Sequence, residues 1–331
     1  MSLATGVGSH PGETQHDFDE AVRMVLDLLP DLPYLPEVPG RGVGAAMTGR
    51  TLGLQTGLDV DLQPAGWRLT GTSGAPGRDQ RRARSLLGQD LDALEERVQD
   101  RTGAFKVQVT GPWTLATTTE RPRGDKVLAD HGARRDLAQS VAEAVGEHVA
   151  EVRRRVPGCD RLVVQVDEPA LAAVLDARVP TASGWGRHRA VDRPEASDVL
   201  GWVLGAVREA GAEPWVHACA AGTPWSLVHG AGAEGLVVDL DVLVADDLEQ
   251  LALAHEAGAA LVLGVADPTG PVVGYQDLAV RAERWLDVVG LAPGERLGLA
   301  PGCGLAGAAA ADVPRVLRAL VDAARRLDDR A

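Results

Sequence analysis

Short, almost wholly apolar segments alternate with amphipathic helical stretches along the whole of this chain, and that rhythm restricts its fold more than any motif does. The apolar segments are residues 4–9, 34–38, 105–110, 161–166, 215–219, 235–239, 260–265 and 296–300. Strands that are apolar on both faces belong to parallel sheets covered by helices. The stretches between them space their apolar residues three and four apart, as in Leu137, Val141, Val145, Val149 and Val152. Eight such units predict a single (β/α)8 TIM barrel occupying residues 1–331 as one domain. A doubly wound sheet is the alternative, but no Gly-x-Gly-x-x-Gly follows the first strand. The rhythm is interrupted at about 53–100. There, residues 53–78 are glycine-rich and without period, an expected irregular excursion, before a helix over Leu86–Val98.

A chain of 331 residues with 45% hydrophobic content can bury a large core. Its formal charge of -14 argues against nucleic acid as a partner. Arg78, Arg81, Arg82 and Arg84 form the one basic cluster of note and are expected to open a helix in solvent. No apolar run reaches the roughly 18 residues that a membrane span requires. The segment Met1–Thr5 lacks a basic start followed by an apolar core, so no signal peptide is expected. Three widely separated cysteines make no disulfide framework. Together these features predict a soluble, cytoplasmic protein.

Barrels place their reactive groups where strands end and the following loops begin. Here those positions hold Ser9, Glu37, Asp167, Glu168, His217, Cys219, Asp239, Asp267 and Cys303. His217 and Cys219 are two apart on one strand, so both can point to the same side. Imidazole and thiolate suit zinc, and Asp239 and Cys303 complete a four-ligand Zn2+ set from neighbouring strand ends. Asp241, two residues on from Asp239, is the alternative carboxylate, and a buried structural thiol is the alternative role for Cys303. Cys159 precedes its strand and is expected at the opposite rim.

Five motifs, in order along nearly the whole chain, carry a resemblance. They are Thr5-Gly6-Val7-Gly8-Ser9, Thr110-Gly111-Pro112-Trp113-Thr114, Gln165-Val166-Asp167-Glu168-Pro169-Ala170, His217-Ala218-Cys219 and Pro301-Gly302-Cys303-Gly304-Leu305. With these the chain resembles the C-terminal catalytic barrel of cobalamin-independent methionine synthase and its single-barrel relatives. The resemblance implies a barrel of the uroporphyrinogen decarboxylase/methionine synthase type and a zinc-dependent transfer of a methyl group to the thiol of homocysteine. It implies zinc on His217, Cys219 and Cys303, with Asp239 at the family's glutamate position. It also implies that Gly8, Ser9 and Asp167 hold the amino acid, with Asp167 the residue closest to the chemistry and Glu37 and Glu168 as further substrate-binding candidates. Two departures concern the methyl donor. These 331 residues are not expected to hold the family's second, N-terminal barrel as well, and Thr269 in Asp267-Pro268-Thr269-Gly270-Pro271 stands where the family has a histidine thought to assist methyl transfer. Methyltetrahydrofolate is therefore one expected donor, and a methylated corrinoid or corrinoid protein is the other and the favoured one. The rival readings are a barrel that binds zinc or a thiol without catalysis and a corrinoid-dependent methyltransferase acting on another small thiol.

Overall fold

The computed structural model describes residues 2–71 and 75–329; Met1 and residues 72–74 and 330–331, on which parts of the leader and excursion expectations fall, lie outside the described residues. Among the described residues ten strands occur in chain order: β1 (Leu3–Ala4), β2 (Val60–Gln63), β3 (Gly66–Leu69), β4 (Gly103–Thr110), β5 (Thr119–Glu120), β6 (Cys159–Asp167), β7 (Glu213–Ala218), β8 (Gly235–Asp239), β9 (Ala260–Ala266) and β10 (Leu297–Pro301). Seven of them form one curled sheet in the order β1-β10-β9-β8-β7-β6-β4, every pairing parallel. Helices cover its outer face, the longest being His131–Arg155, Arg78–Val98 and Arg193–Glu209. None of the described helices is long and apolar enough to cross a membrane.

The expected strand over 34–38 is not a regular strand. It meets the two edges of the sheet through single bridges, Tyr34 to Lys106 on β4 and Glu37 to Ser9 just beyond β1. Four backbone hydrogen bonds hold it: Lys106 N–H to Pro33 O (2.9 Å), Leu35 N–H to Lys106 O (2.9 Å), Glu37 N–H to Gly8 O (3.0 Å) and His10 N–H to Glu37 O (2.7 Å). The reason is local. Pro33, Pro36 and Pro39 have no N–H to donate, so a continuous ladder cannot form here.

The excursion is more ordered than expected. β2 and β3 form an antiparallel hairpin, turned at Gly66 with φ +126°, and β5 adds to it as a third strand. The following helix begins at Arg78 rather than Leu86. Its first turns are charged and show no apolar stripe, but Gln80 anchors them. The Gln80 side chain is fully buried, accepts from Val60 N–H (3.0 Å) and donates to the carbonyls of Leu52, Gln55 and Leu58. The four arginines of the cluster do lie on the exposed start of this helix.

The inner face of the sheet is layered. Toward the strand starts, Leu32, Val163, Trp215, Val237 and Val262 pack as a small apolar plug. Gly235 is required beside it, because a Cβ there would lie 2.5 Å from the Trp215 ring. Going up the same strands two residues at a time, the inward positions turn polar: Lys106 and Gln108 on β4, Gln165 and Asp167 on β6, His217 on β7.

Candidate metal and substrate site

β7 and the residue just after it place Trp215, His217 and Cys219 at strand spacing, so the apolar plug leads directly into the reactive pair. His217 is buried, and its Nδ1 lies 3.1 Å from Val237 O, its register neighbour on β8. That carbonyl can only accept, so Nδ1 carries a proton and Nε2 is the nitrogen left for a ligand. Nε2 is itself buried and makes no close hydrogen bond among the described residues, although the Cys303 thiol beside the ring raises the imidazole above its ordinary value despite burial. A buried polar atom in that state calls for a ligand. Cys219 follows β7 and Cys303 follows β10, and donor atoms of His217, Cys219 and Cys303 lie within 4.8 Å of one another. The sulfurs are 2.6 Å apart. Their close contact, with His217 beside Cys303, holds the Cys303 thiol below and Cys219 above the ordinary thiol range.

The two candidate carboxylates differ in what they touch. Asp239 is half-buried at the end of β8, and its carboxylate abuts Gly302, where a Cβ would lie 2.5 Å from Oδ1. It accepts from Asp241 N–H at 3.0 Å and stands beside the three-donor group rather than within it. Asp241 is exposed and paired with Arg281 at 2.5 Å. Cys159 is the first residue of β6, at the opposite end of that strand from Asp167, as its place in the sequence implies.

A cavity of about 290 Å³ opens onto the His–Cys–Cys group and is also lined by Gly8, Ser9, Glu37 and Asp167. Pro39, Met47 and Pro169 give it an apolar wall. Gly304 is needed there because a Cβ would collide with Ser9 Oγ. Both carboxyl groups are buried: burial raises Glu37 above the usual carboxylate range and pushes Asp167 up to about 7.

Glu168 does not join them. Its carboxylate accepts from Trp113 N–H (2.8 Å), Thr114 N–H (2.8 Å) and Thr114 Oγ (2.7 Å), which ties it to the start of the helix Pro112–Thr118. Burial pushes it up to about 7 despite those three donors. Thr269 also stays out of the cavity lining; its N–H and hydroxyl donate to Asp267 Oδ1 in an exposed turn. Three buried side chains that the strand-end reading overlooked support the cavity from below: Lys106, Gln108 and Gln165. Their signal was present, since a polar residue at every second position of an otherwise apolar strand marks an inward face.

The fold and site define an α/β enzyme-type scaffold with a buried donor cluster at the carboxyl ends of its parallel strands. Residues 93–326 match the model of the cobalamin-independent synthase catalytic domain, and the chain belongs to that family, an enzyme family of the cobalamin-independent methionine synthase type. Among solved structures, the B12-independent methionine synthase from Shewanella sp. W3-18-1, in complex with selenomethionine, is similar over 99% of both chains at 15% identity, with a TM-score of 0.66. GH5_18 from Streptomyces cattleya, in complex with GlcNAc, is similar over 100% of this chain and 81% of that one, at 16% identity and a TM-score of 0.51. No curated protein matches the chain. Membership in a family that works without cobalamin corrects the corrinoid expectation: neither a methylated corrinoid nor a corrinoid protein is supported as donor.

Proposed function

We propose that this chain is a zinc-dependent S-methyltransferase that transfers a methyl group to the thiol of homocysteine, forming methionine. The sheet, with segment 33–37 between β1 and β4, serves as its (β/α)8 barrel. The observation that carries the proposal is one cavity joining two chemistries: an imidazole–thiol–thiol group with an orphaned, buried Nε2 and a pair of buried carboxyl groups. His217 Nε2, Cys219 and Cys303 would hold zinc, with Asp239 as the nearest carboxylate for a fourth position. When bound, zinc keeps a substrate thiol in its nucleophilic thiolate form near neutral pH. Asp167 and Glu37 receive the α-ammonium group of the amino acid, and Gly8 and Ser9 border it. The apolar wall keeps water from the sulfur, so the transfer depends on alignment with the methyl group. The selenomethionine in the Shewanella enzyme, a methionine analogue, is consistent with this assignment.

With corrinoids set aside, methyltetrahydrofolate is the donor of this reading. The test is methionine formation from homocysteine and methyltetrahydrofolate, as monoglutamate and as triglutamate, by zinc-loaded protein with metal content measured in parallel. A metal-free protein indifferent to homocysteine would end the proposal. The place of Thr269, away from the cavity and unable to act as an acid near neutral pH, favours one second reading, binding of the thiol without catalysis. Homocysteine binding without turnover of either folate would identify it.

A further inference from the structure

We infer that β4 is the positioning element of this site: Lys106 and Gln108 on its inner face fix the two carboxyl groups, and Gln108 Oε1 completes an acceptor set that selects a thiol bearing an α-ammonium group. The inference rests on the proposed function and assigns residues to it. Lys106 is fully buried and donates to Val7 O (3.0 Å) and Gln165 Oε1 (2.8 Å), with its ammonium 5.0 Å from the Tyr34 ring centroid. With Lys106 Nζ donating to Gln165 Oε1, and both Val7 O and the Asp167 carboxylate able to accept, the Gln165 amide is held with its Oε1 toward the lysine. Gln165 Nε2 is thereby turned to Val7 O (2.9 Å) and to Asp167 Oδ1 (2.7 Å). Lys106 thus sets the orientation of Asp167 through one intermediate side chain.

Gln108, two residues on, does the same for the other carboxyl group. Its Nε2 donates to Leu35 O (2.7 Å) and Glu37 Oε1 (3.1 Å), which pins both Glu37 and the bridging segment. Gly8 permits this arrangement, since a Cβ there would lie 2.8 Å from Gln108 Cδ. With both amide hydrogens engaged, Gln108 Oε1 is left buried and without a donor among the described residues. Buried acceptors in native proteins are nearly always paired. Gln108, Glu37 and Asp167 all line the cavity, and an ammonium group brings three N–H donors to three acceptors.

The experiment compares homocysteine with 4-mercaptobutanoate, the same thiol without its amino group, in zinc-loaded wild type and in Lys106→Met, Gln108→Leu and Gln165→Met. KM, kcat, zinc content and calorimetric binding of L-methionine are measured for each. Wild type should prefer homocysteine, and each variant should raise its KM by roughly tenfold or more, as expected for loss of a charge-assisted hydrogen bond. The variants' KM for 4-mercaptobutanoate and their zinc content should not change, so the preference collapses, and L-methionine binding should weaken in step. Variants that keep the preference, or that lose both thiols in proportion, overturn the inference. If Lys106→Met does not fold, Gln108→Leu decides, because it leaves the Lys106–Gln165–Asp167 chain intact. A wild type that does not distinguish the two thiols overturns the homocysteine reading as well.

Discussion

At the scale of single residues, the proposed function assigns metal holding and substrate holding to different side chains, and substitutions should separate them. Cys219→Ser or Cys303→Ser should abolish binding of about one zinc per chain. Cys159→Ser, at the far end of β6, should leave it intact. Asp167→Asn should keep its zinc while homocysteine affinity falls by roughly tenfold, the loss of one charge-assisted contact. Metal analysis and thiol titration check all four variants, and equal zinc retention in the three cysteine variants would contradict the assignment. The His-x-Cys pair and Asp167 were legible in the sequence because strand ends and alternation place them. The commitment of Glu168 to a helix start was not, because that partnership spans 54–55 residues and depends on how β4 and β6 pair.

At the scale of elements, β4 turns directly into the helix Pro112–Thr118, and Gly111 at the junction lies against the Glu168 carboxylate. Glu168 is fully buried and bound by three donors, so it cannot swing aside. Gly111→Ala should therefore destabilise the fold by about 1–3 kcal/mol, the range for overpacking. A denaturant midpoint unchanged from wild type would show that Glu168 can relax. The six strands from β4 and β6 onward were readable nearly to their ends, since each is mainly apolar and is bounded by turn or helix signals. The hairpin β2–β3 was hidden by its surrounding glycines, although Val60, Leu62, Trp67 and Leu69 alternate as strand residues do. The early start of the Arg78–Val98 helix was hidden for another reason. Its anchor is the hydrogen-bonding capacity of Gln80, which hydrophobic periodicity does not register.

At the scale of the whole molecule, stability should depend on pH through two buried histidines. His10 lies 2.7 Å from the Tyr34 hydroxyl, and His148 faces inward from the helix His131–Arg155; burial pulls both down to about 4. Unfolding restores the ordinary value near 6.5, so the unfolded chain binds more protons between those values. Their contribution is complete above about pH 6.5 and is lost as pH falls toward 4, on the order of 3 kcal/mol for each histidine. Thermal unfolding of wild type and of the His10→Gln/His148→Gln double variant across pH 7 to 4 measures this. Relative to wild type, the double variant should gain stability as pH falls from 7 to 4, while the buried carboxyls of Glu37, Asp167 and Glu168, all raised, act in the opposite sense in both proteins.

The prolines that interrupt segment 33–37 leave the sheet a weak seam there, held by four backbone hydrogen bonds, against the longer ladder that joins β4 to β6. That seam also carries Gly8, Ser9 and Glu37, so an amino acid in the cavity would touch both of its sides. The amides of Leu35, Glu37 and His10 should exchange with deuterium faster than those in the middle of β6. Saturating L-methionine should slow them selectively. On the proposed function, occupancy would act as a clasp: the ligand would bridge the two sides of this seam, and recognition and mechanical integrity would become the same event.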